Sequence, residues 1–163
     1  MNKNLIQARD NIIESAGRTT QGFGLGRIIG QLYALLFFSP KPMSLDDMAD
    51  ALKVSKGSVS TNTRELEKWG AVRQIWIKGD RKDYYEAEVD FLRIIKEGLM
   101  PFFKRKVDSS FVATSESKNL VSNDHNKLKP GDKELAHFYT ERLELIEKAQ
   151  SRLSVLLKFP SFI

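Results

Sequence analysis

Residues 44–70 read SLDDMADALKVSKGSVSTNTRELEKWG, and two short helices can be read from this stretch. Ser44 is a good N-cap, and Asp46 and Asp47 follow in the first turn, where negative charge favours the helix dipole. A helix over Leu45 to Leu52 would bury Leu45, Met48 and Leu52 on one side. Lys53-Val54 makes a tight turn. Ser55 caps a second helix from Lys56 to Trp69, and Gly70 stands where a helix-ending glycine belongs. Two helices joined by so short a turn form a helix-turn-helix.

The residues that follow complete the unit. Ala71 to Ile77 is rich in β-forming residues, Lys78 to Asp83 is a polar turn containing Gly79, and Tyr84 to Val89 alternates again. The pair reads as a hairpin with a basic tip. A helix-turn-helix followed directly by such a hairpin is a winged helix-turn-helix.

Upstream, Leu5, Ala8, Ile12, Ile13 and Ala16 recur at helical spacing. Thr19 to Gly24 is expected to interrupt that helix. A more apolar helix then runs from about Leu25 to Phe38 and stops at Ser39-Pro40-Lys41-Pro42. Downstream, a helix is expected from Phe91 to about Val107, with Pro101 as a kink or boundary. The stretch 108–132 is polar and weakly periodic, so only partial order is expected there. A last helix covers about Lys133 to Phe159, with an apolar seam of Leu135, Phe138, Leu145, Ala149, Leu153 and Leu156. Apolar seams on helices at both ends of the chain suggest dimerisation. The expected organisation is an N-terminal dimerisation helix (1–23), the winged unit (24–90) and a C-terminal helical region (91–163) for dimerisation and effector response. The fold class is mainly α with a small β-hairpin.

Charge points to the partner. The chain carries a net +5, and eight basic residues against three acidic ones fall between Lys53 and Lys82. The next eight residues hold four acidic groups and no basic one. Such local concentration suits an anionic partner. On the second helix, Val59, Asn62, Thr63 and Leu66 face one way, with Val59 and Leu66 set for the core. Gly57, Thr61, Arg64 and Lys68 face the other. Small hydroxyl residues would let the helix enter a major groove, where Ser58, Ser60 and Thr61 can bond bases or phosphates and Arg64 can read guanine. Ser55, Lys56 and Ser58 start the helix, where backbone N–H groups attract phosphate. In the wing, Arg81 is the first candidate for a minor-groove contact, with Lys78 and Lys82 nearer phosphate. Asp80 either steadies Arg81 or belongs to a solvated turn.

Other chemistries find little support. Without cysteine there is no disulfide, thiolate catalysis or cysteine-bound zinc. His125 and His137 are too far apart to share a helical turn, and no metal or other cofactor is expected. Gly22, Gly24, Gly26 and Gly30 look like a nucleotide loop, but no strand precedes them and no Gly-Lys-Ser/Thr follows. A flexible loop, with close helix packing at Gly26 and Gly30, is simpler. No nucleophile–base set is evident, so an enzyme is not expected. The longest apolar run, Leu32 to Phe38, falls far short of a membrane span. The N-terminus is charged where a signal peptide needs an apolar run, so a soluble, cytoplasmic protein is expected.

Residues 26–90 resemble the GbsR-type regulators, glycine-betaine- and choline-responsive repressors related to the MarR-like winged-helix family. The likeness is carried by Gly26 to Leu36, Leu52 to Ser60, Arg64 to Val72 and Lys78 to Tyr85. The Trp69-Gly70-Ala71-Val72 and Lys78-Gly79-Asp80-Arg81-Lys82-Asp83-Tyr84-Tyr85 phrases discriminate best. The resemblance implies a homodimer on a near-palindromic double-stranded DNA operator, with one recognition helix per half-site. It also implies a small-molecule effector pocket between the DNA-binding lobe and the dimer helices. In some members the effector is a quaternary ammonium compound, which needs aromatic faces. Tyr33, Phe37, Phe91, Phe102 and Phe103 are the candidates. The competing readings are a winged-helix protein-interaction module without specific DNA binding and, less supported, an enzyme on a helical scaffold.

Overall fold

The computed structural model describes residues 2–123 and 129–158. The elements in chain order are α1 (Lys3–Gly22), α2 (Arg27–Phe37), β1 (Met43–Ser44), α3 (Leu45–Leu52), α4 (Lys56–Lys68), β2 (Val72–Ile75), β3 (Tyr84–Ala87), a short α5 (Phe91–Arg93), a π-helical turn (Ile94–Leu99), α6 (Met100–Asn123) and α7 (Pro130–Lys158). They fall into two compact units, one ending at Gly98 and the other beginning at Leu99.

In the first unit α2 is the central helix, burying Ile29, Gly30, Leu32, Ala34, Leu35 and Leu36. Leu32, Met48 and Val59 are fully enclosed, and Leu66, Trp69, Val72 and Tyr85 complete the core. The apolar run expected as a buried helix is therefore the hub on which the helix-turn-helix rests. A methyl group at Gly30 would collide with the Ala16 carbonyl, so α1 and α2 cross with backbones nearly touching. Gly26 behaves differently. It has open space around it and a φ of 91°, serving as the N-cap of α2.

α1 does not break at Thr19. The Thr19 hydroxyl donates to the Ser15 carbonyl, and the Thr20 hydroxyl lies within reach of the Ala16 carbonyl and, at 2.8 Å, that of Gly26. Hydroxyls tied to the preceding turn, and in Thr20's case to the start of α2, suit helix continuation and a closed corner. The apolar residues of α1 also divide. Ile13 and Gly17 are buried, whereas Leu5 and Ile12 stay exposed.

The hairpin β2–β3 forms as expected, with Arg73 opposite Glu86 and Ile75 opposite Tyr84. A third strand, unforeseen, pairs with it: Met43 lies opposite Tyr85 and Ser44 opposite Tyr84, giving the order β1-β3-β2. Two residues after Pro42 are too short for any periodicity to show. The strand matters because it ties the start of α3 to the wing.

The second unit is an α6–α7 hairpin. α6 runs on through residues 108–123, where only partial order was expected. The hydroxyls of Ser109, Ser110, Thr114, Ser117 and Ser122 each donate to a carbonyl three or four residues back, which removes their competition with the backbone. α6, with Pro101 as its second residue, directly follows the π-helical turn, so the boundary expected near this proline takes the form of a wider turn. α7 begins at Pro130, ahead of the expected Lys133, while Phe159 and His125 lie outside the described residues.

Candidate nucleic-acid interface

The capping chemistry read in residues 44–70 is present. Ser44 Oγ accepts the Asp47 N–H at 3.2 Å, and the Asp47 carboxylate accepts the Ser44 N–H at 2.9 Å and its hydroxyl at 2.7 Å. These bonds hold the Asp47 carboxyl below its ordinary range. Leu45 and Leu52 are half-buried rather than buried, and Met48 does most of the packing. Lys53 takes the left-handed conformation, φ 54°, to make the turn. Ser55 then caps α4 by accepting the Ser58 N–H at 3.2 Å. At the far end the helix stops at Lys68. Trp69 is the buried C-cap, Gly70 has φ 65°, and the Ala71 N–H returns to the Leu66 carbonyl at 2.9 Å.

α4 divides as its sequence implied. Val59, Thr63 and Leu66 are 0%, 1% and 2% exposed, so this side is closed. Ser55, Lys56, Gly57, Thr61, Arg64 and Lys68 are exposed, and Ser58 and Ser60 are half-buried at the flanks. Nothing lies within reach of a Cβ at Gly57, so the helix start is open to close approach. Lys68 pairs with Glu65 at 2.6 Å.

The wing is braced from within. Arg73 pairs with Glu86 across the strands, and Gln74 donates to Asp83 at 2.6 Å. The Asp80 carboxylate accepts the Lys82 N–H at 3.0 Å and the Tyr84 hydroxyl at 2.7 Å. Those bonds lower the Asp80 carboxyl and raise the Tyr84 phenol. Asp80 thus shapes an exposed turn through the Lys82 backbone and the Tyr84 phenol, and among the described residues it makes no ion pair with Arg81. Lys78, Arg81 and Lys82 are exposed. Among the described residues, Arg64, Lys78 and Arg81 make no ion pair, whereas Lys56 and Lys82 both face Asp46. From sequence Asp46 reads as a capping or dipole partner of α3, because its ten- and thirty-six-residue separations from the two lysines give no periodic signal. Trp76 also went unassigned, although it is 77% exposed beside the basic loop.

The aromatic candidates form two groups. Tyr33, Phe37 and Phe91 cluster with ring centroids 5.2–5.9 Å apart, and Phe38 joins at 5.5 Å from Phe37. The Tyr33 hydroxyl donates to the Glu88 carbonyl at 2.7 Å; burial and the Glu88 charge push its pKa up to about 12. A recess of about 280 Å³ beside this cluster is lined by Phe37, Arg73, Glu86 and Glu88 among others. Phe102 and Phe103 pair in the second unit at 5.5 Å. Among the described residues no acidic, histidine or cysteine group could hold a metal, and no helix is long and apolar enough to cross a membrane. His137 is exposed, 3.4 Å from Glu141.

This architecture, a capped helix-turn-helix with one open face beside a braced basic hairpin, defines a winged helix-turn-helix protein. No protein-family model matches the chain. It is 32% identical over 111 residues to the HTH-type transcriptional repressor GbsR of Bacillus subtilis, a match covering 68% of this chain and 61% of GbsR. It is 28% identical over 152 residues to a Bacillus subtilis protein provisionally named HTH-type transcriptional regulator YvaV, covering 93% of this chain and 77% of that one. A crystal structure of a transcriptional regulator shares the fold, with a TM-score of 0.50 and 22% identity over 90% of this chain and 98% of the other. The chain is a homologue of GbsR and other HTH-type transcriptional regulators, as its GbsR-type resemblance implied.

Proposed function

We propose that the protein is a sequence-specific, double-stranded DNA-binding transcriptional regulator that acts as a homodimeric repressor. The observation that carries this reading is the open face of α4, with Thr61 and Arg64 exposed, next to a wing whose Lys78 and Arg81 make no ion pair among the described residues. A cation left unpaired beside a helix of small hydroxyl residues is suited to phosphate and base edges. GbsR and OpcR, both homologues, are named as repressors, which supports the sign of regulation. Ser55, Lys56, Gly57, Ser58, Ser60 and Lys68 surround Arg64 as phosphate and groove contacts, and Lys82 joins Arg81 in the wing.

The test is a gel-shift titration with DNA from upstream of its own and adjacent genes. Arg64→Ala and Arg81→Ala should each weaken binding by about 10-fold or more, the cost of one lost base contact. Their unfolding temperatures should match the wild type. Unchanged affinity in both variants would sink the assignment.

The effector part of the reading is that a quaternary ammonium compound of the choline or glycine betaine type binds against the Tyr33, Phe37 and Phe91 rings, Phe102 and Phe103 being the alternative pair. Ring faces attract such cations, and Glu88 is among the residues lining the adjacent recess. Choline or glycine betaine should raise the unfolding temperature of the wild type and not of Phe37→Ala. No shift with either compound removes this part and leaves the DNA reading intact.

A further inference from the structure

Asp46, in the first turn of α3, lies between the start of α4 and the wing. Its Oδ1 is 2.8 Å from Lys56 Nζ and its Oδ2 is 3.9 Å from Lys82 Nζ. One carboxylate therefore faces two lysines from two different parts of the DNA-facing surface. The capping of α3 does not need it, because Ser44 and Asp47 close the capping box between themselves. All three side chains are at least 44% exposed, so the bridge is a loose surface tether rather than a packed strut. Exposed ion pairs of this kind are weak and open readily.

What such a bridge changes is the response to phosphate. Sequence-independent DNA affinity grows with the number of phosphates that the protein's cations neutralise, each worth a log–log salt slope of about 0.9. A lysine already countered by a carboxylate displaces fewer counterions, and the carboxylate itself repels an incoming phosphate. Base contacts from Arg64 and the hydroxyls of α4 do not pass through Asp46. On the strength of the DNA-binding reading above, we infer that Asp46 is a specificity-determining residue. By occupying the shared anion seat of Lys56 and Lys82, it holds down affinity for arbitrary duplex and leaves sequence reading to α4.

The experiment is fluorescence anisotropy of the full chain on a short mixed-sequence duplex, across a salt series from about 50 to 200 mM. Asp46→Asn should bind this duplex on the order of fivefold tighter at the low-salt end, with a slope steeper by about 1–2. Asp50→Asn is the control. It removes the same charge from an exposed position on α3 that makes no ion pair among the described residues, and it should gain far less. In a Lys56→Gln/Lys82→Gln background, Asp46→Asn should gain no more than that control. A urea melt of each variant checks the fold. Affinity and slope equal to wild type, or equal gains for Asp46→Asn and Asp50→Asn, would overturn the inference while leaving DNA binding standing. A wild type that binds neither this duplex nor its own upstream DNA overturns the DNA reading, and the inference with it.

Discussion

Thr63 shows how much one atom of α4 can decide. Its side chain is 1% exposed between Val59 and Leu66, and among the described residues its hydroxyl oxygen has no hydrogen-bond partner. An unsatisfied buried hydroxyl costs about 1–3 kcal/mol. Thr63→Val keeps the volume and removes the polar atom, so it should stabilise the protein by about 1 kcal/mol, read as a higher urea midpoint. A lower midpoint would show that the hydroxyl has a partner in solution. Helical spacing was enough to turn Thr63 inward. That its oxygen finds no acceptor there could not be read, because the neighbours come from distant segments. The two tryptophans differ in the same way: Trp69 is 4% exposed and Trp76 77%. Iodide should therefore quench mainly Trp76, and Trp76→Phe should remove the quenchable emission. Quenching that survives this substitution would place Trp69 at the surface.

At the scale of elements, the capping box of α3 gives the sharpest expectations. Ser44→Ala should cost about 1 kcal/mol, the usual loss of a helix cap, and a melt unchanged within error would contradict the geometry. Asp47 adds a pH dependence with a definite sign. Its folded carboxyl is held low by the Ser44 hydroxyl and N–H, so its contribution is present above the unfolded value of about 3.8 and is lost as pH falls through the lower folded one. Asp47→Asn should lower stability at neutral pH and flatten the fall in stability below pH about 4. An acid limb identical to that of the wild type would exclude this role. The Ser44 cap was legible because its partner lies three residues away, whereas Asp47 reads from sequence only as a charge favouring the helix dipole. β1 and the continuation of α6 were not legible. β1 depends on a cross-strand partner forty residues away, and α6 depends on serine and threonine hydroxyls turning back onto their own helix, which composition alone reads as loop. Close helix packing at Gly30 was legible, but that the contact would be the Ala16 carbonyl of α1 was not. Gly30→Ala should destabilise by about 1–3 kcal/mol through overpacking, and a neutral substitution would mean that the two helices can move apart.

For the whole molecule the informative surface is the apolar seam of α7. Leu135, Phe138, Leu145, Leu153 and Leu156 are 44–69% exposed, and Ile146 and Val155 add to them. Within its own unit, α7 packs with a different stripe. Ala136 is buried, Glu147 pairs with Lys118 at 2.6 Å, and Gln150 donates to Ser110 and Thr114. Periodicity marks the seam but does not say which partner covers it, because intrachain and interchain burial demand the same spacing. These exposed residues, with the Leu5 and Ile12 edge of α1, are the surface that the homodimer proposal assigns to a second copy. Each leucine transferred from water to an interface is worth up to about 1.5–3 kcal/mol, so a few such residues on each protomer can hold a dimer against the entropy of association. The homodimer proposal then makes a separable prediction. Leu145→Glu/Leu153→Glu should sediment as a monomer at concentrations where the wild type is a dimer, while its helical circular dichroism stays close to wild type, because neither side chain is buried within the chain. Its affinity for operator DNA should fall steeply, since one α4 and one wing would face half a site. A double variant that remains dimeric would move the interface off this seam, and a monomeric wild type would remove the two-fold docking that the regulator reading assumes.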